Sequence, residues 1–91
     1  METKELEQEL KDIASYILGA FSDSVYKMLE SYETDKIAFR CVFQDITDSM
    51  CKSDEISQDT YMNIDIELSE YKDFIITCSG LEYNINLKSF V

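Results

Sequence analysis

The fold class is decided by residues 61–88, which read YMNIDIELSEYKDFIITCSGLEYNINLK. Apolar and polar residues alternate in three stretches, 61–68, 73–79 and 81–88, and a period of two is typical of strands that bury one face. Ser79-Gly80 is a tight hairpin signal, and residues 69–73 form a looser turn. The pattern therefore predicts an antiparallel meander. Its inward-facing residues are Met62, Ile64, Ile66, Leu68, Phe74, Ile76, Cys78, Leu81, Tyr83, Ile85 and Leu87.

A further strand is predicted over residues 36–44. Its apolar set, Ile37, Phe39, Cys41 and Phe43, again falls on every second position. The following stretch, residues 45–60, is polar and acidic, and we interpret it as a long acidic loop. A loop of this length in a small domain is uncommon unless it is functional or mobile.

The first third of the chain predicts a helix. Apolar residues recur at steps of three or four, which is one face of a helix with 3.6 residues per turn. They are Leu6, Leu10, Ile13, Ile17, Phe21, Val25, Met28 and Tyr32. Because this stripe stays in phase across Gly19, we expect one long helix over about 3–32, bent at most at that glycine.

Together these elements predict an α+β fold in a single domain, residues 1–91. A long N-terminal amphipathic helix packs on one face of a four-stranded antiparallel β-sheet, with strands at about 36–44, 61–68, 73–79 and 81–88.

Charge excludes several classes of function. The 91 residues carry 19 acidic and 8 basic side chains and no histidine, for a net charge of -11. Such a chain repels nucleic-acid phosphates and anionic membrane surfaces, so neither is expected as a direct partner.

The N-terminus lacks the basic and apolar regions of a signal peptide, and three cysteines without paired spacing indicate reduced thiols. We therefore expect a cytoplasmic protein.

Catalysis and metal binding find little support in the sequence. Without histidine the commonest general base is missing. Cys41 and Cys78 fall on inward-facing stripes, which indicates small buried apolar groups rather than nucleophiles. The acidic loop departs from a calcium-binding loop, because counting from Asp48 the sixth position is Ser53 rather than glycine. We expect no enzyme activity, no cofactor and no metal site.

Two acidic clusters remain as candidate partner-binding residues. One is a helical ridge whose members are spaced at three or four residues, ~5–6 Å apart: Glu2, Glu5, Glu9 and Asp12. The other lies in the acidic loop: Asp48, Asp54, Glu55 and Asp59. Duplex DNA presents one negative charge per ~1.7 Å of axis, so carboxylates on a rigid helix offer a related target to a basic groove.

In size, charge and lack of catalytic residues the chain is similar to small acidic phage antagonists. These include DNA-mimic inhibitors of restriction enzymes, uracil glycosylase and CRISPR nucleases. The resemblance implies an inhibitor of a basic nuclease or nucleic-acid-binding protein in a bacterial host cell. An alternative is a bacterial immunity protein, or a chaperone-like module that neutralises a cationic effector. Another is that the charge serves solubility alone, with partner binding or a homodimer at an outer sheet patch of Ala38, Val42 and Ile75.

Overall fold

The computed structural model describes the backbone of residues 3–91 and side chains from residue 5 onward. In this part of the chain, four helices precede a four-stranded antiparallel sheet of order β1-β2-β3-β4, and the first helix packs on the sheet. The predicted α+β class is therefore confirmed. The elements are α1 (Thr3–Ala20), α2 (Val25–Thr34), α3 (Lys36–Lys52), α4 (Gln58–Asn63), β1 (Asp65–Leu68), β2 (Phe74–Cys78), β3 (Leu81–Asn84) and β4 (Ser89–Phe90).

The N-terminal helix is two helices, so the prediction of one helix over 3–32 was wrong. The break follows Ala20, where Ser22 and Asp23 both adopt a left-handed backbone with φ of 58°. The Ser24 hydroxyl then caps α2 by accepting from the Lys27 amide at 3.2 Å. The apolar stripe continues across the break because both helices pack against the same core.

The predicted strand 36–44 is also wrong, because these residues form the first half of α3. Asp35 alone joins α2 to α3, and its carboxylate caps α3 by accepting from the Ala38 amide at 3.0 Å. Ile37 is 77% exposed and Cys41 is exposed, so the predicted inward orientation of both is wrong. The buried residues of α3 instead follow a helical spacing of four, four and three: Phe39, Phe43, Thr47 and Met50.

The predicted acidic loop over 45–60 is mostly helical. Its first half completes α3, a short turn follows, and α4 begins at Gln58 with Ser57 as its cap. The helix α4 also occupies the start of the predicted strand 61–68, which is shortened to β1, and it leaves Met62 72% exposed rather than inward-facing.

The predicted strand 81–88 divides into β3, a turn and β4. The Asn84 side chain accepts from the Leu87 amide at 2.9 Å, which folds residues 85–88 back on themselves. The Asn86 side chain accepts from the Phe74 amide, also at 2.9 Å, where a further strand residue would otherwise pair. The strand β4 gained in this way brings the sheet to four strands.

The core confirms most of the predicted inward face of the sheet: Ile66, Phe74, Ile76, Cys78, Tyr83 and Ile85 are buried. Phe39 is the centre of an aromatic cluster that joins helices to sheet. Its ring stacks on Phe21 at 5.5 Å and on Phe74 at 5.3 Å, and meets Tyr32 edge-on at 5.3 Å. None of the described helices is both long and apolar enough to cross a membrane.

The apolar patch predicted on the outer sheet face is not assembled. Ala38 and Val42 belong to α3, and Val42 packs against the core. Ile75 pairs with Glu67 and Asn84 in neighbouring strands, so it sits among polar residues. This placement leaves the sheet with one largely polar outer surface.

Candidate partner-binding surface

The helix α1 lies against the connection between α3 and α4, which brings part of each predicted acidic cluster together. The Tyr16 hydroxyl on α1 donates to Glu55 Oε1 at 2.8 Å. About two helical turns earlier, Glu9 accepts from the Ser57 amide and the Thr60 hydroxyl. We define the acidic face by the carboxylates gathered around these contacts: Glu9, Asp12, Asp45, Asp54, Glu55 and Asp59.

Glu9 contributes charge to this face and also stabilises it, because its carboxylate joins α1 to the start of α4. Both carboxylate oxygens lie 3.2 Å from the Ser57 amide nitrogen and 3.0–3.2 Å from Thr60 Oγ1. The first amides of a helix lack partners within the helix. Glu9 supplies one from α1, and the Ser57 side chain supplies another from the start of α4 itself. The helical spacing predicts Glu9 on an exposed ridge, but its side chain is half-buried and hydrogen-bonded within the fold.

Glu55 is held in place from both sides. Its Oε1 accepts from Tyr16 and its Oε2 accepts from the Ser53 hydroxyl at 2.9 Å. The hydrogen bond to Glu55 raises the pKa of Tyr16, and the negative charges of Glu55 and Asp12 add to this effect. Both side chains remain exposed, so a partner can reach a carboxylate whose position is already set.

A shallow depression of about 240 Å³ lies between α1 and α3 beside this pair. Its lining residues are Tyr16, Asp45, Ile46, Ser49, Met50 and Glu55. Met50 is buried and Ile46 half-buried, whereas Asp45, Ser49 and Glu55 are exposed, so the floor is apolar and the rim acidic. Asp45 and Tyr16 were not among the predicted site residues, because only the packing of α1 against α3 brings them together.

The remaining predicted residues are distributed around this arrangement. Asp12 is half-buried and accepts from the Gln8 amide group at 3.0 Å, while Asp54 and Asp59 are exposed on either side of the turn into α4. Glu5 is exposed in the first turn of α1, and Glu2 lies outside the described residues. Asp48 pairs with Lys52 at 2.9 Å, which raises the pKa of the lysine, and Asp48 does not line the depression.

None of the described ion pairs neutralises a carboxylate of the acidic face. They join Arg40 to Asp65, Lys52 to Asp48 and Lys72 to Glu33, and none of these acids belongs to the face. The six carboxylates of the acidic face therefore have no basic partner among the described ion pairs. A surface of one sign attracts oppositely charged macromolecules over a distance set by the ionic strength.

Cys78 is the buried cysteine in the described part of the chain, whereas Cys41 is exposed and Cys51 is half-buried. Burial raises the pKa of the Cys78 thiol, which lies 3.9 Å from the Thr60 carbonyl oxygen and is held in its protonated form. Residues 5–91 contain no group of three His, Cys, Asp or Glu side chains arranged to hold a metal ion.

Comparison with known proteins finds no family model, no curated protein and no solved structure that matches this chain.

Proposed function

We propose that this chain is a small acidic, non-enzymatic inhibitor that binds and blocks a basic nucleic-acid-handling protein. The partner is a nuclease or nucleic-acid-binding protein of a bacterial host cell. The mode of action is that of a DNA mimic, as in phage antagonists of restriction or CRISPR nucleases. The observation that carries the proposal is the acidic face, where residues far apart in sequence present carboxylates without paired bases.

The physical argument rests on the way basic grooves bind DNA. Such grooves gain affinity when lysines and arginines meet phosphates and counterions are released. Carboxylates held on a folded surface provide the same exchange, and rigidity lowers the ordering cost of binding. Glu9 and the Glu55–Tyr16 pair supply that rigidity by tying α1 to the turn before α4.

The neutralisation of a cationic toxin by an immunity protein uses the same surface chemistry and differs only in the partner. Capture of partners from host lysate at low and moderate salt, with identification by mass spectrometry, separates these cases. A DNA- or RNA-handling defence protein supports the inhibitor, and a toxin encoded beside this chain supports the immunity protein.

The test of the acidic face uses the captured partner. A triple variant, Asp12→Lys, Asp54→Asn and Asp59→Lys, removes charge while leaving Glu9 and Glu55 in their internal hydrogen bonds. Asparagine is chosen at position 54 because that residue has a left-handed backbone, with φ of 62°. We expect slower association and a flatter dependence of the affinity on salt.

The matched control is Glu30→Lys, Glu67→Gln and Glu82→Lys, three exposed sites outside the acidic face that change the net charge equally. This control is expected to retain most of the affinity and the salt dependence. The proposal is wrong if neither variant alters the affinity between ~50 and ~300 mM salt, a range in which the Debye length passes through ~10 Å. Equal losses in both variants would show that total charge matters and the acidic face does not.

A further inference from the structure

We infer that the depression between α1 and α3 receives one arginine side chain of the basic partner. The inference rests on the proposed function and adds the residue type that is recognised at its centre. It stands on the shape and lining of the depression, which combine three features: an apolar floor, an acidic rim and an exposed aromatic ring.

The floor and the rim match the two ends of a long cationic side chain. Ile46 and Met50 offer apolar contact to the methylene stem of an arginine, which commonly packs against such surface while its head group stays polar. Asp45 and Glu55 stand at the rim, where the guanidinium would lie. Each oxygen of Glu55 uses one lone pair for Tyr16 or Ser53, which leaves acceptor capacity for a second donor.

Tyr16 favours arginine over lysine. Its ring lines the depression and the residue is 51% exposed, so a planar cation can stack on it. A guanidinium can stack on the ring and donate to a carboxylate at the same time, because its donors lie in a planar fork. An ammonium group is a compact, strongly hydrated charge and makes only one of these contacts well.

The size and charge of the depression favour a cationic side chain over other occupants. Its volume of about 240 Å³ is below the ~300–1,000 Å³ of sites that hold small molecules, and it is open to solvent, which suits a single side chain. Anionic ligands would meet Asp45, Glu55 and the nearby Asp12. Charge complementarity therefore selects a cationic side chain, and the aromatic ring selects its planar form.

The experiment titrates the full chain, labelled with ¹⁵N, with three short peptides at low salt. The peptides are N-acetylated and C-amidated Gly-X-Gly, where X is arginine, lysine or the neutral isostere citrulline. We expect the arginine peptide to shift the signals of Tyr16, Ile46, Ser49 and Met50 first, the lysine peptide to bind at least about twofold more weakly, and citrulline to leave them unchanged.

Two single variants locate the contact. Asp45→Asn should weaken arginine binding by a factor of about three to five, as expected for an exposed charged pair. Asp48→Asn removes the same charge from the same helix outside the depression and should change the affinity less than about 1.5-fold. Tyr16→Phe, which keeps the ring, should retain more of the preference for arginine over lysine than Tyr16→Ala, with unfolding curves confirming that each variant folds.

The inference is overturned if lysine and arginine bind equally, if shifts spread evenly over Asp54 and Asp59, or if Asp45→Asn and Asp48→Asn have equal effects. Those results would leave the proposed function intact, because the triple variant measures it separately on the captured partner. Conversely, the depression could bind arginine selectively while binding of the captured partner does not respond to the charge variants. That combination would contradict the proposed function and still establish the depression as an arginine site.

Discussion

Glu9 braces the start of α4 from the neighbouring helix α1. Its two oxygens accept from the Ser57 amide and the Thr60 hydroxyl, and the side chain is half-buried. A hydrogen bond to an ionised group contributes more than a neutral one, and a helix amide left without a partner is costly. At the scale of single residues, this carboxylate therefore links the acidic face to the stability of the fold.

Replacement of Glu9 by alanine is expected to lower the free energy of unfolding by about 1.5–3 kcal/mol, the range for hydrogen bonds to a charged group. Glu5→Ala, an exposed acid on the same helix, should stay within about 0.5 kcal/mol of the parent chain. Urea denaturation followed by circular dichroism measures both. Equal stability of the two variants would show that Glu9 does not brace α4.

Cys78 is expected to make the free energy of unfolding depend on pH in the alkaline range. Burial raises the pKa of this thiol in the folded chain. The contact with the Ser79 hydroxyl opposes the shift, and the negative charge of Glu9 adds to it. The unfolded chain therefore releases the thiol proton at lower pH than the folded chain. Stability from this group is fully present below the ordinary thiol pKa and is lost as the pH rises through the folded value.

We expect the urea midpoint to be level between pH 7 and 8 and to fall toward pH 10, starting near the ordinary thiol pKa of about 8.5. Cys78→Ala should lower the midpoint at every pH, because a buried sulfur is removed, but should flatten the decline in this range. A decline as steep in the variant as in the parent chain would assign the alkaline loss to other groups.

At the scale of elements, the turn between α1 and α2 holds two non-glycine residues in a left-handed conformation that suits glycine better. Ser22 and Asp23 both have φ of 58°, a left-handed conformation that is costly for residues with a Cβ. Gly19, by contrast, lies inside the last turn of α1, where glycine weakens a helix. A Cβ at Gly19 would approach only the Asp23 carboxylate, at 4.0 Å.

Gly19→Ala is therefore expected to raise the free energy of unfolding by about 0.5–1 kcal/mol, and Ser22→Gly by up to about 1 kcal/mol. Ser15→Gly, at an exposed position in the middle of α1, is the control and should lower stability by a similar amount. Thermal unfolding monitored by circular dichroism measures all three. Loss of stability in Ser22→Gly would contradict the left-handed backbone that breaks the helix there, and loss in Gly19→Ala would contradict the helical state of Gly19.

The helix α3 shows why a short alternating pattern is ambiguous. Over residues 37–43, Phe39 and Phe43 satisfy both a period of two and a helical spacing of four. The next turns decide, because Thr47 and Met50 continue the helical series into the core. Asp35 adds a helix cap, and the three aromatic rings around Phe39 fix which face is buried.

At the scale of the whole molecule, the net charge of -11 acts on a body of only 35 × 26 × 19 Å. At 10 mM ionic strength the Debye length is about 30 Å, so the carboxylates repel one another across nearly the whole domain. At 300 mM the Debye length is below about 8 Å, and repulsion is confined to neighbours. Self-repulsion opposes the compact state.

The urea midpoint is therefore expected to rise between 10 and 300 mM sodium chloride. The triple variant Asp12→Lys, Asp54→Asn and Asp59→Lys should show a smaller rise, because fewer like charges remain on the acidic face. Urea is used as the denaturant because it adds no ionic strength. A midpoint that is constant or falls with salt would show that the ion pairs outweigh the repulsion.

The sequence by itself determined the fold class, the meander and most of the core. Alternation in residues 73–79, the Ser79-Gly80 hairpin and the helical stripe from Leu6 to Tyr32 are local patterns, and each reports which side of an element is buried. These patterns remain valid where an element breaks, as at residues 21–24, because both pieces still face the same core.

Only the tertiary structure decided the helical state of residues 36–44 and the composition of the acidic face. The contacts that build the face join residues far apart in the chain: Tyr16 and Glu55 are 39 positions apart, and Glu9 and Thr60 are 51 apart. Periodicity carries information over a few turns and none over such separations. The role of Glu9 and the lining of the depression follow from how α1 packs against α3 and α4, which no single stretch of sequence specifies.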